Sequence, residues 1–360
     1  MSSIRGHHIP VPRSPKQVEI MLTARCNLAC RHCSVYGEGP IEGDLSTSQW
    51  KDIIRRLSEW KVIHLTISGG EPLVRNDFVQ ILEAILAHPL RLALNTNAML
   101  VTDDIASALA RASRRLDSVM VSLDGAGPET HDAQRAPGSF DAMAEGVGRL
   151  RQAGVAVGFY CTVTTLNVDE IEDVAAWALD HGEWVKFNDV MSVGRACANS
   201  ELALDQTTRR NAGERAARLA SQIPGRITGT LPDMHSLCEQ LKGGTARPYP
   251  QGARGCGAMR GRANIWADGR MTPCDRIPHY TIGNVLDSSL DELWRSAAAQ
   301  SFRDMLAVPI TDLDTCADCA YAPYCTGGCP VLPMRDLQGP LGRDPKSCAR
   351  LYLGEEVTGD

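Results

Sequence analysis

Ten of the thirteen cysteines in this 360-residue chain fall into two tight groups, one near each end; only Cys161, Cys197 and Cys238 lie between them. The opening MSSIRGHHIPVPRSPK has no apolar core of signal-peptide length, and the cysteine count is odd. Clustered thiols in such a chain point to metal binding or catalysis in a reducing cytoplasm rather than to a disulfide framework. The first group reads TARCNLACRHCSVY, so Cys26, Cys30 and Cys33 are spaced C-x3-C-x2-C. Thiolates are soft ligands that suit zinc and iron–sulfur clusters. A structural zinc site closes with four ligands, whereas a four-iron cluster on three cysteines keeps one iron open. The count of three favours the cluster; His32 adjoins Cys33, a geometry that disfavours the two as joint ligands of zinc.

The chain between the groups sets the fold class. Apolar runs that read as strands begin at Val18 (VEIMLT), Val62 (VIHLTI), Arg91 (RLALNT), Ser118 (SVMVSL), Val155 (VAVGFYCTV) and Trp184 (WVKFNDV). Helical stretches separate them. Trp50, Ile53, Ile54, Leu57 and Trp60 share one face, behind a capping box of Ser46 and Gln49; Phe78, Ile81, Leu82, Ile85 and Leu86 share another, with Asn76 as the expected cap. Six strand–helix units imply an α/β fold with parallel strands and crossover helices, either a doubly wound sheet or a barrel. The first cysteine group follows the first strand and Gly69 follows the second, so both open onto one mouth at the strands' C-terminal ends. A net charge of −6 argues against a general nucleic-acid surface, and no apolar run is long enough to span a membrane. Three segments are expected: an extension over 1–17, the strand–helix domain over 18–231 and a cysteine-rich domain over 232–360. The last has little periodicity beyond one helix, DELWRSAAAQSFRDML, so metal is expected to help it fold, and the tail GEEVTGD is expected to be loose.

The C-x3-C-x2-C loop after the first strand, followed by Gly69-Gly70-Glu71-Pro72 after the second, resembles the radical S-adenosylmethionine (SAM) superfamily over about residues 18–194. The resemblance implies a partial (β/α)6 TIM-type barrel in which SAM chelates the open iron and is cleaved reductively to methionine and a 5′-deoxyadenosyl radical. Gly69 and Gly70 would let backbone approach the ligand, and Glu71 would accept a bond from the SAM ammonium. In SLDGAGPETHDAQR, Ser122 and Asp124 end the fourth strand, and His131 and Arg135 resemble an Asp…His…Arg pattern of the family; Arg135 suits a carboxylate. Asn95, Asn97, Thr162, Asn167 and the segment Ser192–Ala196 are weaker candidates for the same mouth.

Downstream, Cys256, Gly269 and Cys274 precede C-x2-C-x5-C-x3-C at Cys316, Cys319, Cys325 and Cys329, then Cys348. The pattern matches the seven-cysteine motif of the SPASM domain over about residues 238–348; two zinc sites are the plainer alternative. The resemblance implies two auxiliary [4Fe–4S] clusters, making three in all. Cys256, Cys274 and Cys329 would hold the nearer one, and Cys316, Cys319, Cys325 and Cys348 the distal one. Several relatives complete the nearer cluster with a cysteine about six positions before the first; Pro250 stands there in this chain. Either Cys238 serves instead or that cluster keeps an open iron. Asp275 matches an aspartate that sulfatase maturases use as a base.

An auxiliary cluster that accepts a second electron favours net oxidation. The expected substrate is a ribosomal peptide or protein side chain, or an alcohol carbon of a small natural product such as an aminocyclitol. A flavodoxin or ferredoxin-type protein would supply electrons. Only seventeen residues precede the first strand, too few for the leader-binding domain that many SPASM enzymes carry. Redox-neutral epimerisation is the alternative, with Cys161, Cys197 or Cys238 as hydrogen donor.

Overall fold

The computed structural model describes residues 11–35, 43–249, 253–313, 315–335 and 342–355, with side chains described only to Pro333 in the fourth stretch. Seven strands form its parallel body: β1 (Gln17–Met21), β2 (His64–Ser68), β3 (Arg91–Thr96), β4 (Leu116–Ser122), β5 (Val157–Val163), β6 (Trp184–Asp189) and β7 (Ile227–Thr228). Helices cross between them: α1 (Thr47–Glu59), α2 (Phe78–Leu86), α3 (Asp103–Arg111), α4 (Pro128–Gln134), α5 (Ser139–Gln152), α6 (Ile171–His181) and α7 (Gln206–Gln222). After α8 (Thr230–Lys242), β8 (Arg262–Ile265) pairs in parallel with the free edge of β1, and β9 (Arg270–Thr272) and β10 (Gly283–Asn284) follow as antiparallel ribbons. The sheet order is β10-β9-β8-β1-β2-β3-β4-β5-β6-β7, so β1 and β6 do not pair and the (β/α)6 barrel is partial, as expected.

Alternation along the strands explains the curvature. Val18, Ile20, Leu65, Ile67, Leu92, Leu94, Val119 and Val121 are fully buried under the helices. Their neighbours Glu19, Ser68, Asn95, Ser122, Tyr160 and Thr162 are half-buried on the opposite, inner face. The expected capping box at Ser46 and Gln49 is present. At α2 the N-cap is Asp77, not Asn76, and its side chain makes no capping bond. Asp77 instead binds Arg75 (2.7 Å) and the Thr47 hydroxyl (2.5 Å), because a carboxylate gains more from a buried guanidinium than from a helix end.

The cysteine-rich segment is not a separate core. Ile265, Met271, Trp294 and Phe302 are buried in the same apolar cluster as the barrel helices. Arg56 of α1 donates to the carbonyls of Val285 (2.7 Å) and Ser288 (2.9 Å). The single helix expected over 291–306 is two, α9 (Leu290–Arg295) and α10 (Ala297–Ala307). Ser296 breaks them by taking an extended conformation and capping α10, the preference of a serine that can bond the next turn. The expected boundary at 231 falls inside α8, which packs on α7 and β6. Beyond α10 the described residues are supported by small apolar clusters, 3-10 turns and the short helices α11 (Val331–Arg335) and α12 (Ala349–Leu353). There Lys346 binds buried Asp189 of β6 (3.1 Å), which also pairs with Arg209 of α7 (2.7 Å). The tail after Glu355 lies outside the described residues.

Candidate active site

The first cysteine group sits on the loop after β1, at the C-terminal end of the barrel. Burial pushes Cys26 up to about 11 and Cys30 upward, and the neighbouring thiols, Cys30 and Cys33 beside Cys26 and Cys33 beside Cys30, add to both shifts. Among the described residues no three His, Cys, Asp or Glu side chains close on one point as a single ion requires. An iron–sulfur cluster takes each thiolate on a different iron.

The glycine-rich turn laces onto this loop. Gly69 has φ +146°, and a Cβ there would lie 2.7 Å from the Thr23 carbonyl oxygen. The Gly70 and Glu71 N–H groups donate to the carbonyls of Thr23 and Arg25, each at 2.9 Å. The close approach that Gly69 permits is therefore to the cysteine loop's own backbone. Glu71 is buried, and its carboxylate accepts from Leu73 N (3.0 Å), the Thr96 hydroxyl (2.8 Å) and Asn97 N (2.7 Å). It ties the ends of β2 and β3 together, with about one acceptor site left over. Pro72 is buried at the start of a short 3-10 turn. Asn97 donates to Asn27 in the cysteine loop (2.8 Å), while Asn95 and Ser122 are half-buried on the inner face. The segment Ser192–Ala196 also reaches the loop, where Arg195 N donates to the Cys33 carbonyl (2.8 Å).

Asp124 is the hub beneath the thiols. It is fully buried; Oδ2 accepts from Arg135 Nε at 2.6 Å and lies 3.2 Å from His32 Nε2, and Oδ1 accepts from Thr162 N at 2.8 Å. Burial alone would raise its pKa, but Arg135 and His32 hold it well below the ordinary carboxylate range. Arg135 turns Nη1 toward Cys30 Sγ at 3.7 Å, so the guanidinium links the carboxylate to a thiol. His131 accepts from the Asp124 backbone N–H (3.2 Å), and burial, then Arg135, lowers its pKa to about 4. His131 is thus a neutral acceptor that sets the backbone. Asn167 donates to the carbonyls of Asp124 (3.0 Å) and Thr162 (2.9 Å). His32, which its sequence position discounts as a zinc ligand, belongs to the hub instead. Asp124→Asn leaves Arg135 buried without its counter-charge. The expected loss is about 3–5 kcal/mol, read as a lower urea midpoint; an unchanged midpoint would show that the pair does not hold the loop.

Deeper on the inner face, Asp275 follows Cys274 and lies 3.9 Å from Arg276 Nε. The pair faces Glu19 of β1 and Tyr160 of β5, with Arg276 near the Tyr160 hydroxyl and Ser68 near the Glu19 carboxyl. Burial first, then Asp275, raises Glu19 to about 8. A lone glutamate at an alternating strand position gives no sequence signal, so Glu19 was legible only once β1 was placed beside Cys274.

The C-terminal cysteines separate into two sets. Cys316, Cys319, Cys325 and Cys348 line one cavity with Ile310 and Leu313, the arrangement expected of the distal set. Cys256, Cys274 and Cys329 interact with one another through Cys329. Cys238 does not join them. It is buried on α8 against Met234 and Tyr352, with Cys348 as its neighbouring thiol, because the inner side of α8 faces α12. Pro250 lies outside the described residues. Cys161 points outward from β5 into the core, 3.7 Å from Asn167 Nδ2, and Cys197 ends the turn Gly194–Cys197.

A model of the radical SAM superfamily matches residues 20–178, and one of an iron–sulfur cluster-binding domain, SPASM, matches residues 256–320. The chain is 31% identical over 334 residues to the mycofactocin maturase MftC of Mycolicibacterium smegmatis, covering 89% of this chain and 82% of that protein. It is 28% identical over 376 residues to the pre-heme d1 synthase of Dinoroseobacter shibae, covering 98% and 91%. The crystal structure of Streptococcus suis SuiB bound to precursor peptide SuiA superposes with a TM-score of 0.74 at 17% identity, over 94% of this chain and 76% of SuiB, a likeness of fold.

Proposed function

The chain belongs to the radical SAM superfamily, in the branch with an iron–sulfur SPASM domain, and from that premise we propose that it oxidises a side chain of a ribosomally made peptide. When bound, SAM supplies hydrogen-atom abstraction and three [4Fe–4S] clusters supply electron transfer. Cys26, Cys30 and Cys33 would hold the first cluster, Cys256, Cys274 and Cys329 the second, and Cys316, Cys319, Cys325 and Cys348 the third. A flavodoxin or ferredoxin-type protein would deliver electrons. Asp124, Arg135 and His32 hold the first thiol loop; Glu71, with Thr96 and Asn97, holds the mouth beside it. Gly69, Gly70, Asn95 and Ser122 shape that mouth for SAM.

The observation that carries the oxidative reading is the carboxylate pair Glu19 and Asp275, set in the barrel next to Cys274. Net oxidation removes a hydrogen atom, an electron and a proton from the substrate, and the proton needs a base. A carboxyl whose pKa lies near the working pH transfers protons best, which suits Glu19, while Asp275 stands next to a cluster ligand. Arg276 is the cation that faces both. The peptide reading is supported by the 31% identity to a maturase over most of both chains. A small-molecule substrate is the second reading, supported by 28% identity to a pre-heme d1 synthase across 98% of the chain. Epimerisation has less support, since Cys161 packs outward and Cys238 lies on α8.

The test is an anaerobic assay of reconstituted enzyme with dithionite, offering short peptides encoded beside its gene and, separately, tetrapyrroles and cyclic alcohols. The expected result is one 5′-deoxyadenosine for each peptide that loses two hydrogen atoms. Oxidation of a small molecule alone would move the assignment to the second reading. Solvent deuterium entering a peptide of otherwise unchanged mass would move it to epimerisation.

A further inference from the structure

Arg254 is a fully buried arginine in the cysteine-rich segment, and among the described residues its guanidinium makes one hydrogen bond. Nη2 donates to the Gly342 carbonyl at 2.5 Å. Nε and Nη1 are buried and have no hydrogen-bond partner among the described residues. Leaving such groups unpaired costs about 1–3 kcal/mol each, and more for a charged group. A retained cost of that kind points to a partner that arrives with a ligand.

Its position identifies the partner. Arg254 lies two residues before Cys256, and its segment is tied to the next cysteine loop: Gly255 N donates to the Thr326 carbonyl at 2.8 Å. Gly327, between Cys325 and Cys329, has φ +69°, and a Cβ there would lie 2.9 Å from Arg254 Cγ. That glycine leaves room for the arginine stem. Gly342 introduces the stretch in which Asp344 accepts from Cys329 N (2.8 Å) and which ends at Cys348. The side chain is therefore wedged among the loops that carry both sets of thiols. Asp344 is the nearest opposite charge, and beyond it the arginine's charge is felt by Cys329, Cys316 and Cys256, one thiol of the distal set and two of the nearer.

We propose that Arg254 is a positioning residue for the two auxiliary clusters: its orphan Nε–H and Nη1–H groups donate to sulfur at the junction between the thiol sets and hold both clusters at a higher reduction potential. Each added electron makes a cluster more negative, so a fixed cation and N–H···S bonds stabilise the reduced form more than the oxidised form. The inference rests on the auxiliary-cluster reading above. A surface arginine would be screened by water and salt; this one is not.

The test is a redox titration of the reconstituted full chain, followed by electron paramagnetic resonance, for wild type, Arg254→Lys and Arg254→Gln. In Arg254→Gln the auxiliary signals are expected to need a lower potential, with the reduced-to-oxidised ratio at fixed potential falling about tenfold, or 59 mV for one electron. Arg254→Lys keeps the charge and should shift less. The cluster on Cys26, Cys30 and Cys33 serves as the internal control and should not move. Auxiliary iron lost from Arg254→Gln but kept by Arg254→Lys also supports the charge role. Unchanged auxiliary potentials, or equal iron loss from both variants, overturn it. Wild-type protein without auxiliary iron would instead overturn the cluster reading itself.

Discussion

Replacing Cys26, Cys30 and Cys33 together with alanine is expected to abolish SAM cleavage while the C-terminal clusters remain. Iron in the anaerobically reconstituted chain should fall from about twelve to about eight atoms. The loss is complete because no neighbouring group among the described residues replaces the thiolates. His32 is held by Asp124, and Arg135, though 3.7 Å from Cys30, is a cation that cannot ligate iron. The rest should stand because the cysteine-rich segment is bound to the barrel by β8 on β1 and by a shared apolar core, not through the first loop. Two measurements check this: iron and sulfide content, and 5′-deoxyadenosine formed with dithionite. Cleavage that persists in the triple variant would remove the basis for a SAM-binding cluster at this loop. Iron that falls to near zero, with zinc retained, would make the C-terminal thiols structural and turn attention to redox-neutral chemistry.

Asp275→Asn is expected to separate the two halves of the reaction. Its carboxylate lies in the barrel beside Cys274, away from the SAM-side hub at Asp124, so 5′-deoxyadenosine should still form. Oxidised product should fall on the order of 10²–10⁴-fold, the usual worth of a positioned base. Glu19→Gln should show the same uncoupling if the two carboxylates share the proton. Loss confined to Glu19→Gln would assign the base to β1 instead. The pH dependence gives a second handle. Glu19 carries its proton up to about pH 8, well above the ordinary glutamate range, because burial and Asp275 both oppose its charge. Its proton favours the folded state most below the ordinary glutamate pKa. That contribution declines as pH rises from there to about 8, and Glu19→Gln should flatten the decline in a set of urea titrations.

Much of this protein was legible in its residues, for definite reasons. β3 runs over the same six residues that the alternation of RLALNT marks, and Ser46 and Gln49 cap α1 as their side chains dictate. These are local signals, set by strand period and by the nearest backbone donors. The thiol groups were legible because ligand spacing is itself local. Asn76 and the single helix over 291–306 were misread because the competing partners, Arg75 and the turn at Ser296, gain from packing that local sequence does not display.

By itself, then, the sequence determined the repeating strand–helix chain, the three-thiol loop after β1 and the glycine that must follow β2. Each depends on neighbours a few residues away. Only the tertiary structure decided which distant groups meet: Glu19 with Asp275, His32 with Asp124, Cys238 with Cys348 and Arg254 with both thiol sets. Those pairings cross 256, 92, 110 and up to 75 residues of chain. They follow from long-range packing, β8 against β1, the β1 loop against the end of β4 and α8 against α12, where burial rather than local propensity sets each side chain's partner.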